Sequence, residues 1–275
     1  MLKIIDTYNE ITKLFDAGSF DMSNWKHYVL NISKTLLKLI QDDVMEYDFK
    51  RQILPVIQFL FENRELADIT HTSFIKVTRK LDEKCETVLH DKLDCTIILY
   101  MGLCNAAGWA AKLDGEPVIL LGIEKIVELN WVDEISMIGL IYHGLGHYWH
   151  FQNRSTETHL KTLKEKSLWQ LYTEGMAMYF EQLMYGNPHF YHQNKNGWLD
   201  WCDKNKHRIA KEYLRRIENN ENVQDFFGDW CSFEEHSDVG YYLGAEIVNL
   251  ISKDCGMDSL INLKLEVVED YLSKL

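Results

Sequence analysis

His143 and His147 stand four residues apart in "IGLIYHGLGHYWH", and Glu174 follows 27 residues after the second of them. On an α-helix, side chains four apart share a face about 5 to 6 Å from one another, so two imidazoles can aim at one point. They flank an apolar stripe of Ile138, Ile141, Leu145 and Tyr148, which puts their face at the edge of a core or in a cleft. Burial there favours neutral, ligating imidazoles. The spacing alone is weak evidence, because eleven histidines in 275 residues give roughly 0.4 such pairs by chance. Glu174 adds a third donor. It lies in "LWQLYTEGMAMYFEQ" among Leu171, Tyr172, Met176, Ala177 and Tyr179, where a carboxylate without a partner is costly. Two histidines and a carboxylate around an open fourth position are a catalytic zinc arrangement. The adjacent Gly175 weakens a helix by ~1 kcal/mol, a cost that makes sense if another helix or a metal approaches closely there. The alternative is a half-exposed glutamate beside a packing glycine.

"HGLGHYWH" followed by "EGMAMYFE" resembles the HExxH and downstream Glu of the gluzincin metallopeptidases, and is most similar to a group of bacterial predicted zinc proteases with an EG-A-Y-E second motif. The resemblance covers roughly residues 93 to 250. It implies a zincin-like fold, Zn2+ as cofactor, and His143, His147 and Glu174 as its ligands. It further implies an edge strand that pairs with an extended peptide. "NAAGWAA" is where that role falls, with Asn105, Ala106, Ala107 and Gly108 as substrate-binding residues. A hairpin strand packed on helices reads equally well. "FEEHSDVGYYLGAEIV" is similar to the family's C-terminal part, which implies His236, Tyr241 or Tyr242 as a donor to an oxyanion, the tyrosines being preferred. Helix packing is the alternative for both tyrosines.

The departure from the family is Gly144, which stands where the glutamate general base belongs. That glutamate moves a proton from metal-bound water to the leaving nitrogen, and losing a positioned base costs roughly 10² to 10⁴-fold in rate. A pseudoenzyme, a hydrolase with another base, and a variant of a chain that ordinarily carries Glu are the three explanations. His150, one turn beyond His147, and Glu181, two turns beyond Glu174, are the candidate substitutes. Neither sits where the family's base does. The expectation is therefore a metallopeptidase-like protein with impaired hydrolysis, or a non-catalytic peptide- or protein-binding protein.

The elements that must position these groups are mostly helical. Only Pro55, Pro117 and Pro188 interrupt the chain, and apolar residues recur at three and four spacing. From Leu2 to about His90 the pattern predicts amphipathic helices, for example "WKHYVLNISKTLLKLIQ", with Val29, Ile32, Leu36, Leu37 and Ile40 on one stripe. Residues 93 to 126 read as strand, loop and hairpin, with Asp114-Gly115 as the turn. Asn130 or Asp133 caps the histidine helix, and the glutamate helix stops at Gly186 with Pro188 beyond. The predicted class is mainly α with a small β-sheet (α+β), divided into an N-terminal helical region, 1–92, and a zincin-like domain, 93–275.

With 42 acidic against 29 basic residues the net charge is -13, which disfavours nucleic acid and anionic membrane surfaces as partners. No apolar run reaches the ~18 residues of a membrane span, and the N-terminus alternates charge with apolar residues, so a cytoplasmic protein is expected. The six cysteines, Cys85, Cys95, Cys104, Cys202, Cys231 and Cys255, form no CxxC pair and read as reduced, buried spectators.

Overall fold

The computed structural model describes all residues except Asp91 and Asp229. The chain divides into two compact units, Met1–Gly144 and Leu145–Leu275. The first unit begins with strand β1 (Lys3–Asp6) and helices α1 (Tyr8–Asp16), α2 (Met22–Ile32), α3 (Lys34–Asp43), α4 (Leu54–Glu62), α5 (Arg64–Thr78) and α6 (Leu81–Leu89). It continues through β2 (Thr96–Tyr100), β3 (Gly108–Leu113), β4 (Glu116–Gly122), α7 (Ile123–Glu128) and the first half of α8 (Glu134–Asn153). The second unit holds the rest of α8, then α9 (Leu163–Tyr185), α10 (Trp198–Glu218), α11 (Val239–Ile251), α12 (Met257–Ile261) and α13 (Leu265–Leu272). The class is mainly α with one small sheet, as the sequence predicts. Among the described residues no helix is long and apolar enough to cross a membrane.

The sheet order is β1-β2-β4-β3, with β1 and β4 parallel to β2, and β3 antiparallel to β4. The central strands are continuous apolar runs, and Ile97, Ile98, Leu99, Ile119, Leu120 and Leu121 are buried. The hairpin forms at Asp114 and Gly115, whose φ values of 53° and 91° are those of a tight primed turn. Glu124 on α7 is fully buried and accepts the backbone N–H of Gly102 and Cys104, each at 3.0 Å, which fixes the loop leading into β3. Burial pushes its carboxyl up to about 7.

Two expectations need correction. The N-terminal region is not helical throughout and does not separate at residue 92, because Lys3–Asp6 pairs with Thr96–Leu99. Four residues are too short to carry a period of their own, and their partner lies more than ninety positions away. The stripe from Val29 to Ile40 belongs to two helices. Ser33, extended at φ -165° and ψ 141°, ends α2 and caps α3 by accepting the N–H of Thr35 and Leu36. Val29, Leu36 and Ile40 are nonetheless all buried.

In the second unit, α9, α10 and α11 share a core of large side chains, including Leu171, Tyr172, Met176, Tyr213, Tyr242 and Val248. The buried Tyr213 hydroxyl donates to Ser167 O at 2.8 Å, so the ring is buried with its polar end satisfied. All six cysteines are free, and four of them are buried.

Candidate metal centre

Asp133 begins α8. Its carboxylate accepts the Ser136 N–H at 2.9 Å and the Ser136 hydroxyl at 2.7 Å. Asn130, the other candidate cap, has φ 55° and closes α7 instead, with Trp131 N–H donating to Ile126 O. Helix α9 opens with a Thr162/Glu165 capping box and stops at Gly186, φ 84°. These signals fix where each helix runs, and with it which residues face the site.

His143, His147 and Glu174 come together as the sequence predicts. One ligand atom from each lies within 4.8 Å of the others, and His147 Nε2 is 3.1 Å from Glu174 Oε2. Two ligands about 2.1 Å from a tetrahedral zinc ion are about 3.4 Å apart, so the donor types and the His147–Glu174 spacing fit that metal. His143 is only 9% exposed, and the side chains of His147 and Glu174 retain 16% and 17% of their exposure.

Glycines make the approach possible. A Cβ on Gly146 would lie 2.8 Å from Ala177 Cα and Ala177 O, so only glycine allows the backbones beside His147 to come this close. Gly175 meets another helix, as one reading of the sequence requires: its Cβ would be 2.3 Å from Gly244 O on α11.

Gly144 has an equally specific neighbour. A Cβ there would stand 2.8 Å from Ile119 Cγ2 on β4, a β-branched, fully buried side chain that would have to shift. The first atom of any side chain at position 144 would thus meet the sheet. Gly144→Glu is expected to lower stability by about 1–2 kcal/mol, overpacking outweighing the gain in helix propensity. Adding Ile119→Ala to it should relieve the clash at the cost of apolar burial. Thermal melts of both variants check this, and a Gly144→Glu protein at least as stable as the parent would contradict the wall formed by Ile119.

His150 and Glu181, the candidate substitute bases, are both buried. His150 Nε2 lies 3.1 Å from the Tyr172 hydroxyl and 3.2 Å from Ile261 O. Glu181 accepts the His192 N–H at 3.1 Å and faces His192 Nδ1 at 2.9 Å. Tyr242 is buried and donates to Asp203 Oδ1 at 2.7 Å, a bond that occupies its hydroxyl. Tyr241 packs edge-on to Phe227 at 5.8 Å. His236 stacks on Trp201 at 3.7 Å, with Nδ1 2.8 Å from Glu234 O.

Of the four residues expected to bind substrate, only Gly108 lies in β3. Asn105, in the loop before it, accepts the Leu103 N–H and donates to Ile40 O and Asp43 Oδ2, shaping the turn into the strand. Ala106 lies against Gly122, and Ala107 O accepts the Gly122 N–H at 3.0 Å. β3 is the edge strand of the sheet, and Gly108 packs against Leu140, one turn of α8 before His143. With Ala107 bonded to Gly122, antiparallel alternation turns the backbone groups of Gly108, Ala110 and Lys112 to the open edge.

Sequence reasoning missed Ile119, whose role depends on strand register, and Phe151 on the histidine helix. Phe151 is 53% exposed, with its ring 6.4 Å from that of His147. The four-residue step from His147 to Phe151 is visible in the sequence, but its exposure is not. Comparison with protein-family models, with curated proteins and with solved structures yields no match to this chain.

Proposed function

We propose that this chain is a zinc-binding, metallopeptidase-like protein of gluzincin type whose ligand is an extended peptide, and that its capacity for hydrolysis is impaired. The observation that carries the reading is the convergence of His143, His147 and Glu174 from two helices. His143 and His147 would hold the ion as neutral imidazoles, and Glu174 would offset part of its charge. Bound zinc polarises a carbonyl and lowers the pKa of coordinated water. The peptide would add to the open edge of β3, using the backbone groups of Gly108, Ala110 and Lys112, and pass α8 near Leu140 and His143.

Nothing at position 144 can take or deliver a proton, and Ile119 crowds the point where a side chain would leave the backbone. That contact favours a second reading, a non-catalytic peptide- or protein-binding protein that keeps its metal. The two differ only in turnover, and both describe an acidic cytoplasmic protein without a nucleic-acid partner.

Purified protein is expected to carry about one zinc ion per chain by elemental analysis, and His143→Ala or Glu174→Gln to lose most of it. Less than about 0.2 zinc per chain in the parent, unchanged by His143→Ala, would refute the metal centre. Slow or absent cleavage of a mixed peptide library by the zinc-loaded parent separates the impaired enzyme from the pure binder.

A further inference from the structure

We propose that Phe151 and Trp169 form the side-chain subsite of the metal centre and select a ligand bearing an aromatic or large aliphatic group beside the carbonyl held at the metal. The inference rests on the zinc reading above and names the ligand class for the same site.

The positions follow from the two helices. The ligand stripe of α8 runs His143, His147 and then Phe151 at the same four-residue step. The Phe151 ring lies 6.4 Å from the His147 ring and within 15° of parallel to it, so the phenyl stands directly beside the imidazole. Trp169 on α9 joins them at an angle, 6.4 Å from Phe151 and tilted 46° to it, five residues before Glu174. A large apolar side chain left half-exposed is ordinary when isolated. Here it adjoins the only cluster of potential metal ligands among the described residues, so a ligand held at that cluster would meet it first.

The surroundings narrow the chemistry. Arg154 sits over Trp169 at 4.9 Å, but its guanidinium donates to Ile261 O at 2.8 Å and Leu263 O at 3.2 Å, which ties the charge to the backbone. His150 beside these rings is buried. An apolar side chain would pack against Phe151 and Trp169, whereas a carboxylate would meet an aromatic surface beside Glu174, with the nearby Arg154 guanidinium already donating to Ile261 O and Leu263 O.

The test uses two hydroxamate-capped dipeptides of one scaffold, with a benzyl or a methyl side chain next to the zinc-binding group. Their affinities are measured by calorimetry on the zinc-loaded chain. The parent is expected to prefer the benzyl compound by roughly tenfold or more. Phe151→Ala should reduce the preference to about twofold or less, and Phe151→Leu should keep part of it, with zinc content unchanged in both. Because Phe151 is half-exposed, its replacement leaves the fold intact. Equal affinities in the zinc-loaded parent, or a preference that survives Phe151→Ala, would overturn the subsite while leaving the metal centre standing. A parent that holds no zinc and binds neither compound would overturn both.

Discussion

Gly175→Ala is expected to lower the stability of the protein by roughly 3 kcal/mol and, under the proposed zinc reading, to cost it most of the bound zinc. The added methyl would fall 2.3 Å from Gly244 O and 2.5 Å from Gly244 C, which are backbone atoms of α11. A side chain can change rotamer to admit a methyl; a helix backbone must move as a whole. The contact is reciprocal, since a Cβ on Gly244 would lie 2.5 Å from Leu171 O. Alanine's better helix propensity returns only ~1 kcal/mol. The core shared by α9 and α11 therefore opens, and Glu174, next in the chain to Gly175, is carried away from His147. A melting temperature lower by about 10 °C, together with zinc below half occupancy, is the expected measurement. Unchanged melting and unchanged zinc would show that α11 yields freely and that the glycine pair is incidental.

Acid is expected to destabilise the metal-free protein through His150. Its imidazole is completely buried, and burial, aided by the neighbouring Arg154 and His147, pulls its pKa down from 6.5 to about 4. The geometry agrees. The one Tyr172 hydroxyl proton is directed at the Leu260 and Ile261 carbonyls, so His150 Nε2 carries its own hydrogen, directed at Ile261 O and the Tyr172 oxygen. Nδ1 has no hydrogen-bond partner among the described residues, and a proton placed there would be a buried donor with nothing to accept it. The sign follows from linkage. Above pH 6.5 both folded and unfolded forms are neutral at this site, and the contribution is whole. As pH falls towards 4, only the unfolded chain takes up the proton, and stability declines by about 1.4 kcal/mol per pH unit, about 3 kcal/mol in all. Urea unfolding between pH 7 and 4, with a chelator present to remove metal linkage, should show this slope in the parent. His150→Gln should be shallower by about one proton over that window, and equal slopes would refute the assignment.

Much of the candidate site is legible in the residues themselves. Local chemistry fixes where α8 and α9 run: Asp133 and the Thr162/Glu165 box start them, and Gly186 stops α9. Helical periodicity alone then puts His143 and His147 on one face, and the apolar company of Glu174 announces that it needs a partner. The hairpin at Asp114-Gly115 is similarly local. Features that depend on distant pairings are not legible. β1 has four residues and no period, and exists because Thr96–Leu99 offers it an edge. The candidate oxyanion donors read only as aromatic residues near a motif. The fold engages Tyr242 with Asp203 and His236 with Trp201.

Gly144 separates the two kinds of information most clearly. By itself the sequence determines that a proton carrier is missing between the histidines, because glycine has no side chain to titrate. Only the tertiary structure decides that a side chain there must displace Ile119, which reaches that spot through the register of β4 and its packing on α8. The same division holds at Gly146 and Gly175. Composition makes them look like helix weaknesses. Close packing makes them the points where backbones meet, Gly146 against α9 beside the His147–Glu174 pair and Gly175 against α11, at separations that any Cβ would prevent.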